Sequence, residues 1–191
     1  MIKKLAVFCG ARPGEDPRYL AQARVLGRQL AANQIELVYG GGGYGLMGAL
    51  ANAVLDNGGQ VTGVITTELA ARGAGLPRLA RQLVLPNMDR RKEKMMQLAD
   101  GFLALPGGLG TLEEISQVCS WITIGDNQKP VAIYNYNHFY DELGHLMEKM
   151  NQQAFLEGEY LQSILFSTDL NQILTFMKDY RAPASRSYSV N

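Results

Sequence analysis

Residues 103–114 read LALPGGLGTLEE: an apolar run, a proline, three glycines, then the opening of a helical pattern. Glycine reaches backbone angles closed to other residues, so a tight turn is one reason for such a segment. The other is close approach of a ligand to the backbone, and a phosphate at a helix start is the usual guest. The choice between them depends on what surrounds the segment.

Short apolar runs alternate with longer helical patterns along the chain. Strands are expected at 5–10, 35–40, 60–65, 82–86, 101–106, 130–135 and 163–167. Helices are expected at about 17–32, 46–57, 88–99, 111–124, 139–152 and 169–180. Continuous Val, Ile and Leu runs suit strands covered on both faces, and their alternation with helices implies a parallel sheet. The expected fold is α/β: a Rossmann-like, doubly wound parallel sheet with helices on both faces, forming a single domain over residues 1–180. Residues 181–191 (RAPASRSYSVN) are polar and aperiodic and read as a flexible tail.

The 191 residues include 18 basic and 18 acidic side chains, so no nucleic-acid polymer is expected as a partner. Charge is nonetheless concentrated locally. Arg72, Arg78, Arg81, Arg90, Arg91, Lys92 and Lys94 share one stretch with only Asp89 and Glu93. Such a cluster is either a solvated face or an anion site. Cys9, Cys119, His138 and His145 have no spacing that suggests a metal centre. The opening MIKKLAVFCGARPGED has an apolar run too short for a signal peptide, and no segment approaches a membrane span. The expected compartment is the cytoplasm.

Three expected strands end in unusual loops: CGARPGEDP, GGGGYGLMG and PGGLGT. Open parallel sheets bind ligands beyond the carboxyl ends of their strands, and glycine loops entering helices expose backbone N–H groups. Together they point to a nucleotide-phosphate pocket. Gly43–Gly48 is also a formal GxGxxG with Glu68 beyond the next strand, which keeps an NAD-dependent oxidoreductase as a rival. A nucleotide carrier or sensor without turnover is another. No Gly-Lys-Ser/Thr is present, so a P-loop NTPase is excluded.

Helical spacing sorts the charged residues. Met88, Met95 and Leu98 draw the apolar face of the fourth expected helix, with Arg91 inside that stripe, Lys92 at its border and Arg90 outside. In the following helix Ile115, Val118, Cys119 and Ile122 form the stripe, Glu114 flanks it and Glu113 points outward. Thr111-Leu112-Glu113-Glu114 also fits a capping box, with Thr111 as N-cap and Glu114 reaching back to it. Glu114 is therefore either a cap or a functional carboxylate.

Pro106–Glu114 matches a PGGxGTxxE motif, and Met88-Asp89-Arg90-Arg91-Lys92 matches the Met-x-x-Arg-Lys element that precedes it. Together they resemble the LOG ("lonely guy") family of cytokinin riboside 5′-monophosphate phosphoribohydrolases, often mislabelled lysine decarboxylases. The likeness runs from VFCGARPG through YGGGGYGLMG to TIGDNQKPVAIYN. It implies hydrolysis of the N-glycosidic bond of a purine nucleoside 5′-monophosphate, with Arg91 and Glu114 as the catalytic pair. Lys92 and the loop Gly107, Gly108, Leu109, Gly110 and Thr111 would hold the nucleotide, with Met88, Glu113, Ser120, Gly42 and Gly43 as further contacts. A homodimer or larger homo-oligomer is implied, with neither pyridoxal phosphate nor metal. Two features depart from the family pattern: Asp89 and Arg90 replace a common His-Glu, and Gly73 stands where many members carry an acidic substrate contact.

Overall fold

The computed structural model describes residues 2–186. Seven strands form one fully parallel sheet: β1 (Lys4–Phe8), β2 (Glu36–Tyr39), β3 (Val61–Thr66), β4 (Arg81–Leu85), β5 (Gly101–Ala104), β6 (Val131–Tyr134) and β7 (Ile164–Ser167). Their order is β4-β3-β2-β1-β5-β6-β7. The order therefore reverses between β1 and β5, where Leu5 pairs with Gly101 and Phe8 with Ala104. Loops leaving these two strands part to opposite sides and leave a crevice.

Side chains alternate across the pleat and build two cores. Leu5, Val7, Leu37, Tyr39 and Leu103 face a layer containing Leu26, Leu30, Leu50, Val54, Ile173 and Met177. These belong to α1 (Pro17–Ala32), α2 (Gly45–Asp56) and α8 (Leu170–Asp179). Ala6, Phe8, Val38, Phe102 and Ala104 face the opposite layer, with Met95, Ile115, Val118, Ile122, Met147 and Tyr160. That layer holds α4 (Met88–Leu98), α5 (Leu109–Ile124), α6 (Asp141–Gln152) and α7 (Gly158–Gln162). All seven expected strands and six expected helices are present.

Three short elements carried no periodic signal: α3 (Thr67–Ala71), α7 and a 3₁₀ turn at Tyr136–His138. β4 also departs from the expectation of strands covered on both faces, because it is an edge strand with Arg81, Gln82 and Val84 exposed. A charged edge resists pairing with another chain. In the C-terminal segment, residues 181–186 form neither helix nor strand. The Arg186 guanidinium pairs with Glu157 at 2.9 Å, and the Arg186 backbone N–H donates to the Thr123 carbonyl at 3.0 Å. The part of the expected tail at 187–191 lies outside the described residues.

α1 and α2 meet at Gly27, where an added Cβ would lie 2.7 Å from both Ala53 Cβ and the Leu50 carbonyl oxygen. Overpacking of this kind costs about 1–3 kcal/mol, so Gly27→Ala lowers the melting temperature by roughly 2–12 °C. Gly144 in α6 meets nothing closer than 3.7 Å. Gly144→Ala therefore raises stability by up to ~1 kcal/mol through helix propensity. Thermal denaturation of the two variants, with opposite signs, is the check.

Candidate active site

A cavity of about 620 Å³ opens over the carboxyl ends of the central strands. Its wall comes from the loop after β1 (Cys9–Gly14), from Gly40 and Gly42 after β2, and from Pro106–Gly108, Gly110 and Thr111 after β5. Ile65, Leu69, Ala74, Met47 and Met88 line one end; Tyr19 and Phe139 also contribute to the wall.

α5 starts at this cavity without a side-chain cap. Its N-cap is Gly108, and among the described residues the amides of Gly108, Leu109, Gly110 and Thr111 have no acceptor. Four helices carry side-chain caps: Asp16 accepts from Arg18 N–H, Thr66 from Leu69, Asn87 from Arg90 and Asp169 from Asn171, whereas α2, α6 and α7, like α5, have none. The positive end of a 16-residue helix thus meets an open cavity, whose wall includes Gly108, Gly110 and Thr111. Gly107 supplies the close approach: a Cβ there would collide with the Thr111 side chain.

The capping-box alternative for Thr111 and Glu114 is overturned. Helix geometry begins at Leu109, two residues ahead of the proposed cap, so Thr111 and Glu114 both lie inside the helix and buried. Glu114 turns instead to Arg91, whose Nη1 donates to Oε1 at 2.8 Å. Arg91 Nε donates to the Val64 carbonyl at 2.8 Å, which anchors the guanidinium to β3. The two side chains are only 7% and 11% exposed. Burial pushes the Glu114 carboxyl above its ordinary range, and the Arg91 charge opposes that shift without cancelling it. Lys92, also buried, pairs with Glu113 and lies 3.7 Å from Asp89.

A family model described as "Possible lysine decarboxylase" matches residues 47–177. A cytokinin riboside 5′-monophosphate phosphoribohydrolase of Arabidopsis thaliana is 36% identical over 94% of this chain and 84% of its own. One from the bacterium Rhodococcoides fascians is 39% identical over 88% of this chain and 85% of its own. The chain belongs to the LOG family. Among solved structures, the molybdenum cofactor carrier protein of Chlamydomonas reinhardtii has a TM-score of 0.66 at 18% identity, covering 93% of this chain and 97% of that one. A molybdenum cofactor binding protein of Rippkaea orientalis has a TM-score of 0.68 at 19% identity, covering 93% and 96%. At such identities these two share the fold alone.

In this LOG chain the sequence-predicted residues Arg91, Glu114, Met88, Gly107, Gly108, Gly110, Thr111, Glu113 and Gly42 meet at one cavity wall. Leu109 is not on this wall, and it is 84% exposed. Lys92 lies behind the wall with Glu113, and that pairing corrects the expectation that Glu113 faces only solvent. Ser120 sits on the exposed side of α5, roughly 16 Å along the helix from Leu109. It is not brought to this wall. Gly43 is also off the wall, because its N–H donates to the Ala74 carbonyl at 2.9 Å. The wall residues that went unselected in the sequence include Arg12, Tyr19, Tyr44, Met47, Ile65 and Phe139. The loops after β1 and β2 carry a signal in their Gly and Pro content; Tyr19, Ile65 and Phe139 carry none.

The GxGxxG segment has a packing role. Leu46 and Met47 N–H both donate to the Gly10 carbonyl, at 3.0 and 3.3 Å, so two amides that a pyrophosphate would need are taken. Gly45, at φ +57°, leaves no room for a Cβ against the Ala11–Arg12 peptide. The basic cluster also divides. Arg72, Arg78, Arg81 and Arg90 make surface ion pairs with Glu68, Asp56, Glu36 and Glu93, whereas Arg91 and Lys92 turn inward. No lysine lies on the cavity wall, so the residues there do not fit covalent attachment of pyridoxal phosphate. Among the described residues no group of three His, Cys, Asp or Glu side chains could hold a metal ion, and no helix is long and apolar enough to cross a membrane.

Removing one member of a buried ion pair strands the other charge, so Arg91→Met and Glu114→Gln each cost about 3 kcal/mol. The double variant loses less than the sum, because it leaves no unpaired charge. Urea denaturation of the four proteins is the measurement. Additive losses would mean that the two groups do not act on each other.

Proposed function

We propose that this LOG-family chain is a phosphoribohydrolase that cleaves purine nucleoside 5′-monophosphates, of cytokinin or AMP type, into free base and ribose 5-phosphate. The observation that carries the reading is the uncapped N-terminus of α5 sharing one cavity with the Arg91–Glu114 pair. Sequence likeness to phosphoribohydrolases over most of the chain supports it.

The 5′-phosphate would rest on the amides of Gly108–Thr111, so that binding energy far from the reacting bond positions the ribose. Cleavage of the C1′–N bond builds positive charge on the sugar. Glu114 would stabilise that charge and take a proton from the attacking water, whose oxygen bonds to C1′ as the base leaves and is protonated. Arg91 would fix the carboxylate and contact the nucleotide. The base would lie against Ile65, Leu69, Ala74, Met47 and Met88. Gly73 at φ +72° follows α3 beside the wall residue Ala74, so the departure from the family pattern leaves that position without a side chain to meet the base.

We further propose that the chain works as a homodimer in the cytoplasm. Met88, Leu109 and Leu112 are exposed apolar residues at the starts of α4 and α5. Between the two helices, the buried Gln117 Oε1 has no hydrogen-bond partner among the described residues. Both cysteines are free thiols, as a reducing compartment maintains.

Incubation with AMP, isopentenyladenine riboside monophosphate and the matching nucleosides, read by chromatography for free base, tests the activity. The monophosphates are cleaved and the nucleosides barely touched. Comparable kcat/KM for adenosine and AMP would remove the phosphate anchor from the reading.

Glu114→Gln lowers kcat by about 10²–10⁴, while nucleotide binding persists through the α5 amides. The reactive form is the carboxylate, so wild-type activity falls as pH drops through the Glu114 pKa. Burial raises that pKa, so the acidic limb of the kcat profile lies above the ordinary glutamate value of 4.5. A limb at or below that value, or near wild-type turnover by Glu114→Gln, would contradict the assignment.

A further inference from the structure

Two cations lie on the cavity wall, Arg91 and Arg12. Both wall carboxylates are already matched, Glu114 to Arg91 and Glu113 to Lys92. Among the described residues the Arg12 side chain has no ion pair and no hydrogen bond, although seven other arginines, Arg18, Arg72, Arg78, Arg81, Arg90, Arg91 and Arg186, are paired. It is the uncompensated charge of the wall.

The chain fixes the Arg12 backbone firmly. Gly10 N–H donates to the Pro106 carbonyl at 3.1 Å, which ties the loop after β1 to the loop that opens α5. On the other side the Ala11–Arg12 peptide packs against Gly45, at the start of α2, with no space for a Cβ. Gly14, at φ +76°, lies over the Tyr19 ring, with its Cβ position 3.1 Å from Cδ2. An arginine thus sits between two helix starts, with an exposed side chain at the cavity wall.

Charge matching suggests its ligand. A phosphomonoester carries about −1.5 to −2 near neutral pH, whereas a helix N-terminus offers roughly half a positive charge. The α5 amides alone leave most of the anion unmatched. Lys92 is engaged by Glu113, and Arg91 is engaged by Glu114 and the Val64 carbonyl. A planar guanidinium with five free donors fits the outward oxygens of a bound phosphate.

We propose that Arg12 closes over the 5′-phosphate of the substrate, completing an anion site whose floor is the N-terminus of α5. The proposal rests on the phosphoribohydrolase reading for the identity of the substrate. The contact itself can be measured without turnover, because the product ribose 5-phosphate carries the same phosphate and is not consumed.

The experiment compares wild type, Arg12→Lys and Arg12→Gln. Calorimetric titration with ribose 5-phosphate should show affinity reduced on the order of 10- to 100-fold in Arg12→Gln and partly restored in Arg12→Lys. In AMP cleavage the KM of Arg12→Gln should rise by a similar factor with kcat little changed, and the melting temperature should hold, since the side chain is exposed. Equal affinity of all three proteins for ribose 5-phosphate overturns the Arg12 contact even if wild type cleaves AMP. Failure of wild type to cleave any monophosphate overturns the enzymatic reading, while weaker ribose 5-phosphate binding by Arg12→Gln would still uphold the contact.

Discussion

The buried pairing of Arg91 with Glu114 is the constraint around which the rest of the cavity is arranged. An arginine taken out of water must satisfy its charge and its donors on protein groups, or folding bears a penalty of several kcal/mol. Here Nε takes the Val64 carbonyl and Nη1 takes Glu114. The guanidinium therefore binds α4 to β3 and α5 at once. It also dictates its surroundings. Gly40 has no side chain because Arg91 Nη2 occupies the space a Cβ would take. Met88, one turn earlier on α4, places its sulfur 3.1 Å from Nη1. A carboxylate held in this way has a fixed orientation and a raised proton affinity, as a general base in a cleft requires.

Around that pair, glycine has two different tasks. In the loop after β2, glycines let backbones touch: Gly45 against Ala11 and Arg12, Gly48 against Gly43, with the neighbouring amides of Leu46 and Met47 bound to the Gly10 carbonyl. In the loop after β5, glycines leave amides unused, and Gly108 stands where α1, α3, α4 and α8 have a capping Asp, Thr or Asn. The first loop builds a wall and the second offers a surface for an anion. The loop after β5 lies at the strand-order reversal, and the loop after β2 reaches the same cavity from the next strand by packing on the loop after β1.

The electrostatics follow a similar division. The surface arginines at 72, 78, 81 and 90 pair in high-dielectric surroundings, where each contact is worth at most about 1 kcal/mol. Their role is solvation of the fold. Arg91 and Lys92, adjacent in sequence to Arg90, are directed inward by a rotation of about 100° per residue around α4. A single helical turn thus holds one solvated charge and two that shape the site.

Periodicity in the sequence was enough to determine the seven strands, the six longer helices and the inward set of Arg91. The reason is that burial on a strand or helix face imposes spacing that the chain must carry. The short α3, α7 and the 3₁₀ turn left no such imprint, being held by contacts rather than by pattern. The motif PGGLGTLEE marked the loop, yet sequence left Glu114 balanced between cap and functional carboxylate, since a capping box and a buried pair can use the same residues. Only the tertiary structure removed the cap, by starting α5 at Leu109 and bringing Arg91, 23 residues earlier in the chain, within 2.8 Å of the carboxylate. The unmatched charge of Arg12 was equally invisible, because whether an arginine has a partner depends on which loops the sheet order brings together.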